Sequence, residues 1–173
     1  MTKLFGEGES MATLAAIISD THGLLRPQVL ERLKRCDCIV HAGDFDDEDT
    51  LDWLRELAPL YAVRGNNDWE MARRLPVSLR FRIEELDFFM AHCVADVPTD
   101  LDGVDAVIFG HSHRYCEALR GGVLWLNPGS CGRRRFGLEL SFAMMRVDGK
   151  NYRIEKILLP ADSKQRREGA ARA

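Results

Sequence analysis

With 173 residues, 46% of them hydrophobic and 29% charged, the chain has the composition of an ordinary globular protein and the length for one domain with a full core. A formal net charge of −3 gives no pull toward nucleic acid or an anionic membrane, and no apolar run approaches the roughly 20 residues a bilayer span needs. Five cysteines, an odd number without a paired CxxC framework, argue against a disulfide scaffold and for a reduced, cytoplasmic setting.

Residues 1–12 carry no apolar core of the signal-peptide kind and read as a flexible extension, with Met11 a second candidate start. "TLAAIIS" (13–19) is a nearly all-apolar run, as expected of a strand covered on both faces. Pro27 suits a first helical turn, and "PQVLERLKRC" places Val29, Leu30 and Leu33 on an apolar stripe. "CIVHAG" (38–43) predicts a second buried strand. "DDEDTLDWLREL" opens with acidic residues that favour a helix N-terminus and sets Leu51, Trp53, Leu54 and Leu57 on one face. "LYAVRG" (60–65) predicts a third strand, and the β-α-β-α-β order implies parallel pairing.

The second half is richer in strands. "LRFRIEELDFFMAH" predicts two strands around a turn near Glu84 to Asp87, and "DAVIFG" another buried one. "YCEALRGGVLWLNPG" predicts a hairpin turning at Gly121 and Gly122, and "SFAMMRVDGKNYRIEKILL" one turning at Asp148 and Gly149. Residues 161–173 form a basic, apolar-poor tail for which disorder is the expectation. The whole reads as a single domain over 13–160, an α/β half and a β-rich half sharing one core.

Each buried run ends in chemistry. Asp20 and His22 follow the first, Asp44 the second, Asn66 the third, His92 the "FFMA" run, and His111 and His113 the "AVIF" run. The carboxyl edge of an α/β sheet is where ligands bind. Taken singly, these residues have ordinary explanations. Asp20 could cap a helix, Asp44 and Asn66 could make Asx turns, His92 could be a satisfied interior histidine, and His41 could be structural or support a ligand from behind. The conjunction points elsewhere, because four of the five histidines fall directly after predicted strands. Carboxylate, amide oxygen and imidazole together suit Mn, Fe, Zn or Ni better than Ca, which prefers oxygen alone. Two such cations, bridged by a carboxylate, polarise a phosphoryl oxygen and deliver hydroxide in line with the leaving group.

In order, "DTHG", "GDFDD", "RGNND", "AHC" and "GHSH" resemble the five signatures of the calcineurin-like metallophosphoesterases. The short length, "SDTHG" and "NPGS" (127–130) resemble the small phosphodiesterase branch called YfcE-like, related to the retromer subunit Vps29. The resemblance spans about residues 13–157 and implies a four-layer α/β/β/α double β-sandwich of the metallo-dependent phosphatase type. It also implies two divalent cations, Mn first with Ni, Fe, Zn or Mg as alternatives. Asp20, His22 and His113 would hold one, Asp44 would bridge, and Asn66, His92 and His111 would complete the second. Asp44, Asn66 and His92 would then be the catalytic residues. Two positions depart from the family pattern. Asn67 stands where larger members have a proton-donating histidine, which points to activated phosphodiesters or slower chemistry. Cys93 replaces a usual glycine; a side chain there could narrow the pocket or offer a thiol to the metals, and a thiol packed beneath the site is the expectation.

The function so implied is metal-dependent hydrolysis of a small-molecule phosphodiester, and the sequence carries no nucleic-acid or membrane signal. Homo-oligomerisation is compatible with the sequence. The competing reading is a non-catalytic, Vps29-like scaffold that binds partners, which the survival of all seven expected ligands disfavours. Arg64 as a phosphate contact is a weaker signal, and "GRRRFG" (132–137) reads as a solvated basic loop rather than charge at the substrate entrance.

Overall fold

Alternation along the first strand sets the layering. In the computed structural model, which describes residues 12–135 and 137–160, β1 (Thr13–Ile18) turns Ala15 and Ile17 to one side and Ala16 and Ile18 to the other. All four are fully buried, which is why the strand reads as a continuous apolar run. Ala16 and Ile18 share a core with Val29 and Leu33 of α1 (Pro27–Leu33) and Leu51 and Leu54 of α2 (Glu48–Leu57). Asp47 starts α2 by accepting from the Thr50 amide at 2.6 Å, with Glu48 and Asp49 in the first turn. Leu30 and Trp53, expected on the buried stripes, lie outside the core, and Trp53 is 36% exposed. Positions 51 and 54 stack one helical turn apart, whereas 53 is rotated away from both.

Parallel pairing holds as expected: β1 pairs with β2 (Cys38–His41), and β2 with β3 (Leu60–Ala62). The second sheet runs in the order β4 (Ser78–Ile83), β5 (Leu86–Ala91), β6 (Ala106–Ile108), β8 (Val123–Asn127) and β7 (Cys116–Arg120). The last hairpin, β9 (Leu140–Asp148) and β10 (Asn151–Leu159), returns to the first sheet, giving β10-β9-β1-β2-β3. The β-rich half is therefore divided between the sheets. Ala143, Met145 and Val147 of β9 share the inter-sheet core with Phe88 and Met90 of β5. Each large side chain so buried contributes on the order of 1.5–3 kcal/mol relative to exposure.

The result is the α/β/β/α double β-sandwich expected from the sequence. On the outer face of the second sheet, Phe89, Val107 and Phe109 pack with Val97 and Leu101, which follow a 3-10 turn at Val94–Asp96. Three hairpins close with two-residue turns. Gly121 and Gly122 adopt φ of +57° and +85°, as the mirror-image turn that matches strand twist requires. The others turn at Glu84–Glu85 and at Gly149–Lys150, the latter one residue later than expected because Asp148 still pairs with Asn151. Residues 1–11 of the expected extension and the whole basic tail lie outside the described residues. No described helix is long and apolar enough to cross a membrane.

Candidate metal centre

Five strands, three from the first sheet and two from the second, deliver polar residues to one edge. Asp20 follows β1, Asp44 follows β2, Asn66 follows β3, His92 follows β5, and His111 and His113 follow β6. The sheets are stitched together here. The His111 amide donates to Asp20 Oδ2 at 3.2 Å, and the Gly110 amide to the His92 carbonyl at 2.9 Å. Buried Asn127 of the "NPGS" stretch donates to the Gly110 carbonyl at 2.8 Å and to Ser112 Oγ at 3.1 Å, and so holds the "GHSH" turn.

The loops hold strained backbone to aim their side chains. Asp20, His22, Asp44, His111 and His113 have φ between 48° and 66°; among the other described non-glycine residues only Asp46 and Glu84 are left-handed. Such backbone is uncommon for residues with a Cβ and persists where surrounding contacts dictate it. At Gly65 the approach is so close that an added Cβ would collide with Asp44 Oδ1.

The seven expected residues assemble in two groups. On one side His22 Nε2 lies 3.3 Å from His113 Nε2, which lies 3.1 Å from Asp20 Oδ1. On the other, Asn66 Oδ1 lies 3.1 Å from His92 Nε2 and 2.9 Å from His111 Nδ1. Asp44 Oδ2 sits between the groups, 3.9 Å from His22 Nε2 and 3.4 Å from His92 Nε2.

Hydrogen bonding fixes which nitrogens face inward. His22 Nδ1 donates to Asp46 Oδ2 at 2.8 Å, and His92 Nδ1 to the Ala42 carbonyl at 2.7 Å. That leaves Nε2 of each ring turned toward carboxylate oxygen, an arrangement that a cation, whether proton or metal ion, satisfies. Asp20 Oδ1, fully buried, accepts no hydrogen bond among the described residues, whereas buried polar atoms ordinarily find a partner. The donor set and the orphaned oxygen fit divalent cations, with Asp20, His22 and His113 in one candidate cluster and Asp20, Asp44 and His92 in another.

Electrostatics agree. Burial pushes the Asp44 carboxyl upward, but the hydrogen bond and charge of His92, the Asn67 amide and His22 overcome it and hold the group at about 2. Burial disfavours a charged His92; its hydrogen bond to Asp44 and the charges of Asp20 and Asp44 outweigh that and raise its pKa. The site draws positive charge.

The ordinary explanations meet the structure at four residues. Asp20 does not cap α1, whose cap is Arg26, and its Oδ2 accepts instead from Ser19 Oγ at 2.6 Å. Asn66 and Asp44 turn toward histidines rather than closing local turns. His41, by contrast, is structural: its Nδ1 accepts from the Gly43 amide at 3.1 Å, so Nε2 carries the proton, 3.1 Å from Thr21 Oγ1. Burial lowers its pKa to about 3, and the ring stacks on Phe45 with centroids 3.6 Å apart.

Three supporting residues have no signal in the sequence beyond their position inside or next to a motif. Asp46 orients His22. Buried Asp68 accepts from the amides of Asp44, Phe45, Asp46 and Gly65 at 2.7–3.0 Å, which shapes the Asp44 loop. An Asp44–Asp46–Asp68 cluster is thus no cation site, because backbone N–H groups already occupy the Asp68 oxygens. Asn127 is the third. Cys93, expected beneath the site, is instead half-buried on the wall of a cleft beside it. In the basic loop, Arg133 donates to the His22 carbonyl at 3.3 Å. Asn67 donates its backbone N–H to Asp44 Oδ1 at 3.0 Å and its side-chain amide to Asp44 Oδ2 at 3.1 Å, and accepts from Asn66 Nδ2 at 3.2 Å. That last bond turns Asn66 Oδ1 toward the histidines.

The family model of the calcineurin-like phosphoesterase superfamily domain matches residues 14–150. The chain belongs to that superfamily. It is 31% identical over 159 residues to a probable metallophosphoesterase of Methanothermobacter thermautotrophicus, covering 83% of this chain and 91% of the relative. A phosphodiesterase of Methanocaldococcus jannaschii is 26% identical, with 79% and 95% covered. Among solved structures, Vps29 of Chaetomium thermophilum superposes with a TM-score of 0.70 over 86% of this chain and 97% of its own, at 23% identity. That likeness shows a shared fold.

Proposed function

We propose that this calcineurin-like protein is a cytoplasmic, metal-dependent phosphodiesterase of the small YfcE-like branch, with 13–160 as its working domain. The observation that carries the reading is Asp44 Oδ2, placed between His22 Nε2 at 3.9 Å and His92 Nε2 at 3.4 Å, where one carboxylate can serve two cations. Asp20, His22 and His113 would hold the first cation, and Asn66, His92 and His111 the second, with Asp44 shared. Mn suits this mixture of oxygen and nitrogen donors. Two cations held there would supply Lewis acidity and would lower the pKa of a bound water to near neutrality.

The chain's own residues do the rest. Asp46 keeps His22 in the tautomer that offers Nε2, and Asn67 orients both Asp44 and Asn66. In the hydrolysis, water oxygen bonds to phosphorus and one P–O ester bond breaks. Asn67 has no proton to give near neutral pH, so the leaving oxygen takes its proton from solvent. Diesters with stable leaving alkoxides are therefore the favoured substrates. Similarity to the M. jannaschii phosphodiesterase supports the same class. Asp44→Asn is expected to abolish turnover of bis-p-nitrophenyl phosphate by Mn-supplemented protein; unchanged turnover would overturn the reading.

A further inference from the structure

A cleft of about 330 Å³ opens beside the Asn66, His92 and His111 side of the centre, with Arg64, Trp69, Val77 and Asp96 also on its wall. Its volume is at the lower end of small-molecule sites. The centre opens to solvent on this side. His22, Asp20 and His113 are 0–6% exposed, whereas Asn66 and His111 are exposed.

Two features of the wall stand open to a ligand. Trp69 is 77% exposed and Val77 49%, a flat aromatic face and an aliphatic neighbour left in water. Arg64 sits on the same wall, and its guanidinium has no carboxylate partner among the described residues. A planar fork of N–H donors matches phosphate oxygens, and an indole face matches a flat ring.

We propose that this cleft is a substrate subsite for a phosphodiester whose ester arm carries a nucleobase-sized aromatic ring. The ring stacks on Trp69 beside Val77, and Arg64 pairs with the phosphodiester anion. The inference rests on the phosphodiesterase reading for its substrate, and it adds what the arm must be. Base stacking on one aromatic side chain corresponds to about a tenfold gain in affinity or more.

The test compares adenosine 5′-monophosphate with ribose 5-phosphate, which share sugar and phosphate and differ in the base. Binding of each to the full chain, with and without Mn, is measured by calorimetry. The nucleotide is expected to bind about tenfold tighter. Trp69→Ala should erase that gap, Trp69→Phe should keep most of it, and Arg64→Gln should weaken both probes alike. Equal affinities, no binding of either probe, or a gap that survives Trp69→Ala would overturn the subsite. None of these outcomes bears on turnover of bis-p-nitrophenyl phosphate by the wild type, which decides the hydrolytic reading separately.

Discussion

The two sides of the centre differ in how they meet water. Asp20, His22 and His113 are closed in, with Asp20 at 0% exposure and the His22 ring braced by Asp46. Asn66 and His111 stand at the open side, against the cleft, and only His92 of that group is buried. A buried group of oxygen and nitrogen donors without a cation carries an uncompensated desolvation cost, while an exposed one can be satisfied by water. The closed side therefore has the stronger demand for a cation, and the open side is accessible to water.

That contrast can be broken most decisively by removing one ligand from each side. In Mn-supplemented protein, Asp20→Asn is expected to bind fewer divalent ions than the unsubstituted chain and to lose the proposed turnover, whereas His111→Ala should leave a closed-side ion in place. Elemental analysis after gel filtration reads the difference, and equal losses in both variants would erase the asymmetry. Next in size is Asp68→Ala, which strands the N–H groups of Asp44, Phe45, Asp46 and Gly65. At roughly 1–3 kcal/mol for each buried unsatisfied group, a loss of at least about 4 kcal/mol is expected in urea unfolding.

Asn67→Ala sharpens the comparison, because the side-chain hydrogen bonds of Asn67 brace Asp44 and Asn66 rather than the closed-side histidines. Loss of such an orienting partner typically weakens metal binding about 10–100-fold. Asp44 is shared, so titration with Mn should show both sites weakened, the open side more because Asn66 loses its partner as well. The smallest effect concerns His41, whose folded pKa of about 3 lies below its ordinary 6.5. Between those values the unfolded chain binds a proton that the folded one does not. Stability is therefore undiminished by this group above pH 6.5 and falls as pH drops from there toward 3. The slope is about 1.4 kcal/mol per pH unit. His41→Gln in metal-free protein should flatten the pH dependence of unfolding between about pH 6 and 5, and an unaltered slope would reject the assignment.

Much of this molecule is legible in order along the chain. Apolar runs such as residues 13–19 form strands because burial on both faces demands apolar side chains throughout, and Asp20, Asp44 and His92 are visible because each terminates such a run. What escapes is anything defined by contact between distant residues. In sequence Asp68 is one more polar loop residue; in the fold its carboxylate gathers amides from 22–24 positions earlier. Trp53 and Cys93 sit elsewhere than expected for a related reason. Stripe and motif give a direction along one element, and the neighbours decide what is covered.

The residue types at the strand ends, and hence a candidate site for divalent cations, were determined by sequence alone, since each local run must end in polar loop residues and these particular ones are of ligand type. Tertiary structure decided that β9 and β10 return to the first sheet, that His41 turns inward to Thr21 while His92 turns toward Asp44, and that one side of the centre is sealed and the other open. Those outcomes depend on which surfaces two sheets bury against each other, and packing between segments far apart in the chain leaves no periodic mark on either.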